Sequence, residues 1–168
     1  AFFALLVVRW GASLLIDYAW WKELGQVNTW IDYYSYQTIP VLIGALIAAV
    51  VLWVAHARAL RFAGIDRKEH PLYSRIATLG ALVLGWIIAG ANIENWTIIR
   101  YVGSRSLPAA ADAWKDPIFS RPLHFYLFDL PLYESVRQYV LALAIISMIV
   151  YWVTARGWQL RYQLPDLH

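Results

Sequence analysis

The sequence contains no cysteine, which removes disulfide staples, thiolate chemistry and cysteine-ligated metal from consideration and leaves the compartment open. Histidine is scarce as well. The four copies, His56, His70, His124 and His168, avoid the middle of every apolar run, so axial ligation of haem or chlorophyll by a mid-helix histidine is not expected. No paired-histidine zinc motif, phosphate-cradling glycine loop or nucleophile elbow occurs, and on that ground the chain is expected not to be an enzyme. Lys and Arg number 14 against 11 Asp and Glu, a net charge of +3. No basic run is long enough to suggest nucleic acid as a partner. The chain opens on Ala1 and holds a single methionine, Met148. It is therefore expected to be a processed or partial product, its first segment the remainder of an uncleaved signal anchor.

What is present is apolar and aromatic. Of 168 residues, 61% are hydrophobic, with 10 Trp and 11 Tyr, and the mean hydropathy is +0.50. That exceeds a soluble domain of this size and identifies an all-α integral membrane protein, expected as a bundle of four transmembrane helices with an external interfacial aromatic loop. The spans are read at about 1–16, 38–57, 75–93 and 136–155, in a single domain covering 1–168. The connection 58–74 holds Arg58, Arg61, Arg67 and Lys68 against Asp66 and Glu69, so the positive-inside rule makes it cytoplasmic. The connections 17–37 and 94–135 then lie outside, and both termini face the cytoplasm of a cell's inner membrane. Pro40 is placed in the first turn of its span, where proline is tolerated. Small residues mark packing faces. Gly44 and Ala48 stand one turn apart, and Ala77, Ala81, Gly85 and Ala89 recur every fourth residue, so the two stripes are expected to pack together.

The stretch Asp116 to Tyr133 is too aromatic for a solvated loop. Pro117, Pro122 and Pro131 argue against a continuous helix through it. It is read as a belt lying on the external surface, with Asp116 capping a turn before Pro117. Its Phe125, Tyr126 and Phe128 would supply interface area and Arg121 and Asp129 would fix register, making the belt a partner-recognition element. Anchoring of the rings in the headgroup layer is the competing role. Asp112, Asp116 and His124 share this loop, but three ligands on a proline-rich segment are a weak cation set. Before it, Trp20, Trp21, Trp30, Tyr33, Tyr34 and Tyr36 mark a surface-lying connection with a short helix ending at Gly25. Among polar groups at membrane depth, Arg9 is expected to pair with Asp17 or Glu94 or with a lipid phosphate, and Asn92 and Glu94 close the third span.

These residues resemble the membrane part of uncharacterised protein family 0182, large bacterial multi-spanning proteins. The resemblance is carried by Trp20-Trp21-Lys22-Glu23-Leu24-Gly25, by Trp96, and above all by Asp116-Pro117-Ile118-Phe119 followed by Phe125-Tyr126-Leu127-Phe128-Asp129-Leu130-Pro131. Members usually carry an acidic residue where Pro122 stands and a small one where His124 stands. They also continue into further spans and a large external domain, so this chain is expected to be a reduced version or a fragment. The resemblance implies a membrane platform with an external belt and brings no established activity. The function expected is a non-catalytic accessory or scaffolding subunit of a larger membrane complex, respiratory or photosynthetic. Lipid, quinone or pigment would be held by contact beside Trp10, Trp53, Trp86 and Trp152. The alternative is a small transporter or channel component with a polar path near Arg9, Asn92 and Glu94.

Overall fold

A computed structural model describes residues 2–65, 71–105 and 114–163. Among these residues five helices follow in order: α1 (Phe2–Glu23), α2 (Val27–Phe62), α3 (Pro71–Asn92), α4 (Asn95–Ser104) and α5 (Leu130–Gln163), the last entered through a π-helical turn at Phe125–Asp129. Among the described residues there is no strand, only one isolated antiparallel bridge between Lys115 and Pro122. Among the described residues three helical stretches are long and apolar enough to cross a membrane: Val27–Phe62, Pro71–Asn92 and Phe125–Leu160. The chain divides into two compact units, Ala1–Thr38 and Ile39–His168.

In the first unit, the segment 17–37, expected as a surface connection, is helical except around Gly25. No glycine or proline interrupts Asp17–Glu23, so α1 continues until Gly25 supplies a left-handed residue at φ 67°. There Gln26 N–H donates to the Trp21 carbonyl at 3.0 Å and Gly25 N–H to that of Lys22 at 3.1 Å, the paired bonds of a Schellman stop. Some rings of this segment face one another while Trp20, Tyr33 and Tyr36 stay exposed: Tyr18 meets Trp30 edge-on at 5.3 Å, and Tyr34 donates its hydroxyl to Asp17 at 3.1 Å. Arg9 is exposed on α1 and sits about 12 Å of helix rise from Asp17. The expected Arg9–Asp17 pair is replaced by the Tyr34–Asp17 bond.

Pro40 lies deep inside α2, not in its first turn, because the helix begins at Val27. It removes the amide that would serve the Tyr36 carbonyl, a loss that membrane helices accommodate. The boundary between the two units falls at Thr38, two residues earlier.

The second unit is organised by small residues. A Cβ added at Gly85 would stand 2.7 Å from the Ala45 carbonyl oxygen and 2.9 Å from the Ala49 amide nitrogen, so α3 touches the backbone of α2 directly at this point. Ala48 and Ala89 are fully buried there, and Ala81 is buried as well. Ala77, at the end of the same stripe, is only half-buried. Leu52, Ile88 and Leu143 fill the centre between α2, α3 and α5, and Tyr139 fastens α5 to α2 by donating to the Gly44 carbonyl at 2.6 Å. Toward the other end, Leu60, Ile65 and Trp158 form a second cluster, with Tyr73 edge-on to Trp158 at 5.2 Å. Outward faces are as apolar as the centre: Val50, Leu79, Val83, Met148 and Trp152 are all exposed. In water that surface would aggregate; in hydrocarbon it is the solvated face, and close backbone approach supplies the cohesion.

Candidate functional site

Features other than plain helix packing gather where α3 ends, α4 begins and the chain returns into α5. The return starts with a turn built on one carboxylate. Asp116 accepts the Ile118 and Phe119 amides at 3.1 and 3.2 Å and the Tyr126 hydroxyl at 2.7 Å. Asp116 N–H donates to the Arg121 carbonyl, and Ser120 N–H donates back to that of Asp116, both at 2.8 Å. Asp116 therefore caps the turn, as Asp-Pro predicts. The Tyr126 hydroxyl and the Ile118 amide stabilise its charged form and hold its pKa below the ordinary carboxylate value. At the tip, Ile118 and Phe119 are 80% and 70% exposed.

The rings expected to form a recognition face are half-buried and engaged within the chain. Phe125 lies edge-on to Tyr126 at 5.4 Å and under the Arg121 guanidinium at 5.2 Å. Phe128 meets His124 at 5.3 Å, and Asp129 stands 3.4 Å from His124 Nδ1. The other ring nitrogen, Nε2, is 3.1 Å from Ser104 Oγ, and Ser104 donates to the Tyr101 carbonyl at 2.7 Å. A Ser104–His124–Asp129 chain thus ties the end of α4 to the π-turn. With the hydroxyl proton on Tyr101, both imidazole nitrogens act as donors, which the charged ring satisfies; the neutral ring requires Ser104 to turn its proton toward Nε2. Ser104 is only 5% exposed, so this chain holds two segments together and presents no accessible nucleophile.

The reversal Asn92–Asn95 opens a polar cavity of about 470 Å³, lined by Asn92, Glu94, Thr97, Glu134, Ser135 and Gln138 among others. Glu94 accepts the Thr97 hydroxyl at 2.8 Å, Ser135 donates to the Asn92 carbonyl at 3.0 Å, and Arg137 approaches Glu134 at 3.4 Å. Beside it, an apolar groove of about 530 Å³ runs between α2 and α5, with Ile43, Gly44, Ile47, Val136, Tyr139 and Val140 on its walls. A further groove of about 350 Å³ between α2 and α3 is bordered by Trp53.

Of the residues expected from the sequence, Asn92 and Glu94 meet in one cavity. Arg9 belongs to the other compact unit. Asp112, Arg67 and Lys68 lie outside the described residues, as do His70 and His168, and among the described residues no group of three potential metal ligands occurs. The sequence reading missed Ser104, Ile118 as an exposed tip, Glu134 and the pairing of His124 with Asp129. Residues five apart share no face of an α-helix, so His124 and Asp129 carried no periodic signal. The wider π-turn brings them together, and Pro131, which cannot donate a backbone hydrogen bond, follows immediately.

A model of an uncharacterised protein family, UPF0182, matches residues 1–162. The chain belongs to this family. A UPF0182 protein of Solibacter usitatus is 52% identical over 165 residues, covering 98% of this chain and 18% of its own length. One from Cupriavidus necator is 26% identical over 167 residues, covering 88% of this chain and 18% of the relative. A third, from Trichodesmium erythraeum, is 41% identical over 81 residues, 42% of this chain and 8% of the relative. The chain therefore spans about a fifth of the length of the first two UPF0182 relatives. No solved structure matches it.

Proposed function

We propose that this part of a UPF0182 protein is a non-catalytic membrane scaffold that docks a larger membrane assembly through its Asp116–Tyr133 return. In this reading the first part of α1 is a fourth span, the inner membrane is the host, both termini are cytoplasmic and the return lies outside. The observation that carries it is the exposure of Ile118 and Phe119 on a turn fixed by three hydrogen bonds to Asp116. A rigid apolar tip loses little entropy on docking, which favours a contact role. Lipid, quinone or pigment would occupy the groove beside Trp53, and the partner is of respiratory or photosynthetic type. Purification in mild detergent tests the reading. Stoichiometric co-purification with a large complex, lost on Ile118→Ser/Phe119→Ser, is expected; a monodisperse lone protein would sink it. Protease access to residues 58–75 from outside would overturn the topology.

The polar cavity favours a second reading, a transporter component, because it brings Asn92, Glu94 and Glu134 together at the end of an apolar bundle. Solute flux in reconstituted vesicles that falls with Glu94→Gln would select it.

A further inference from the structure

The polar cavity and the apolar groove adjoin, with Ile93 and Ser135 on the walls of both. One end offers carboxylates. Glu94 and Glu134 both border the cavity, and none of its lining residues is Lys or Arg. Arg137 stands 3.4 Å from one oxygen of Glu134, both side chains being exposed. Glu94 is the N-cap residue of α4; its carboxylate accepts the Thr97 hydroxyl and its carbonyl the Thr97 amide at 3.1 Å, but it makes no side-chain cap bond to an amide, so the Asn95 and Trp96 amides at the start of that ten-residue helix have no intrahelical acceptor. The other end offers hydrocarbon contact: Ile39, Ile43 and Ile47 of α2 face Val136 and Val140 of α5, along about 12 Å of helix rise. The hydroxyls of Tyr139 and Ser135 on the groove's walls are already engaged, donating to the Gly44 and Asn92 carbonyls.

We propose that this feature holds one phospholipid with an ammonium headgroup. The ammonium sits between Glu94 and Glu134, the phosphate faces the start of α4, and an acyl chain lies in the groove between α2 and α5. Charge complementarity selects this occupant. An anionic glycerol headgroup would meet two carboxylates with no compensating ammonium, whereas an ethanolamine headgroup matches both the carboxylates and the helix terminus. The proposal rests on the bundle being embedded in a membrane, so fractionation with membranes is scored first.

The test uses the full-length protein reconstituted in bilayers of equal parts phosphatidylethanolamine and phosphatidylglycerol, then released for native mass spectrometry. One retained phosphatidylethanolamine is expected, enriched about tenfold over phosphatidylglycerol, the ratio that corresponds to a preference of about 1.4 kcal/mol. Glu94→Gln/Glu134→Gln should bring the ratio near unity without changing helix content. Val136→Trp should fill the groove and lower retention of both lipids with the carboxylates intact. Equal retention of the two lipids by the unmodified protein, or an unchanged preference in the double variant, would overturn the site and leave the membrane scaffold standing. Failure to fractionate with membranes would sink both.

Discussion

The α2–α3 seam and the return at 114–129 hold the same unit together by opposite means. At the seam, a Cβ on Gly85 would stand 2.7 Å from the Ala45 carbonyl oxygen, and the cohesion is contact between backbones. At the return, two carboxylates, one imidazole and several rings make directional contacts, exposed or part-buried. The seam tolerates no added volume but is indifferent to pH. The return tolerates added volume at its tip but depends on charge. Close packing thus secures the helices, and electrostatics secures the return.

The largest effect is expected from breaking the seam. Gly85→Leu places a branched side chain against the α2 backbone, where nothing can yield, and overpacking of this kind costs at least about 1–3 kcal/mol. Thermal unfolding in detergent should show a lower midpoint, and crosslinking between α2 and α3 should fall. Next comes Asp116→Ala, which strips three acceptor bonds from the turn. Amide exchange at Ile118 and Phe119 should rise, with the seam unaffected. The same loosening is expected on acidification. Because its folded pKa is lowered, Asp116 contributes stability fully above the ordinary carboxylate pKa, and that contribution is lost as pH falls through the depressed value. Opening that instead begins near neutral pH would point to another group. His124→Phe keeps a ring beside Phe128 but removes both polar contacts, a loss of about 1 kcal/mol for a net hydrogen bond. Exchange in the last turn of α4 reports it, and unaltered protection there would separate Ser104 from the return. Smallest for stability is Ile118→Ser/Phe119→Ser, expected within about 0.5 kcal/mol as for surface substitutions generally. A large drop in melting temperature would mean that the tip packs within the protein.

The seam was legible from sequence because a four-residue recurrence of Ala and Gly has one helical interpretation. Gly25 ended its helix and Asp116 capped its turn for equally local reasons. Other features resist such reading. Trp and Tyr are at home both at an interface and between two helices, so residues 17–37 read as a surface connection although they form the flanks of a helical hairpin. Pro40 marked a helix start by its usual preference, while the helix runs on through it. The polar cavity draws Asn92 from the end of α3, Glu94 from the start of α4 and Glu134 from the first turns of α5, a meeting that only the return path creates.

The wide turn at Phe125–Asp129 also acts as a phase setter. Leu130 N–H reaches back to the Phe125 carbonyl, five residues away, so this turn holds one residue more than an α-helical turn. Each residue of an α-helix advances the chain by about 100° and about 1.5 Å. Downstream, the azimuth of α5 is pinned where Tyr139 grips the Gly44 carbonyl. A one-residue deletion within the turn would therefore leave α5 in place and swing the segment 114–124 around its axis, carrying Asp116 and the Ile118–Phe119 tip to a different side of the bundle. The direction in which the tip points is thus encoded by one surplus residue in the helix that follows it.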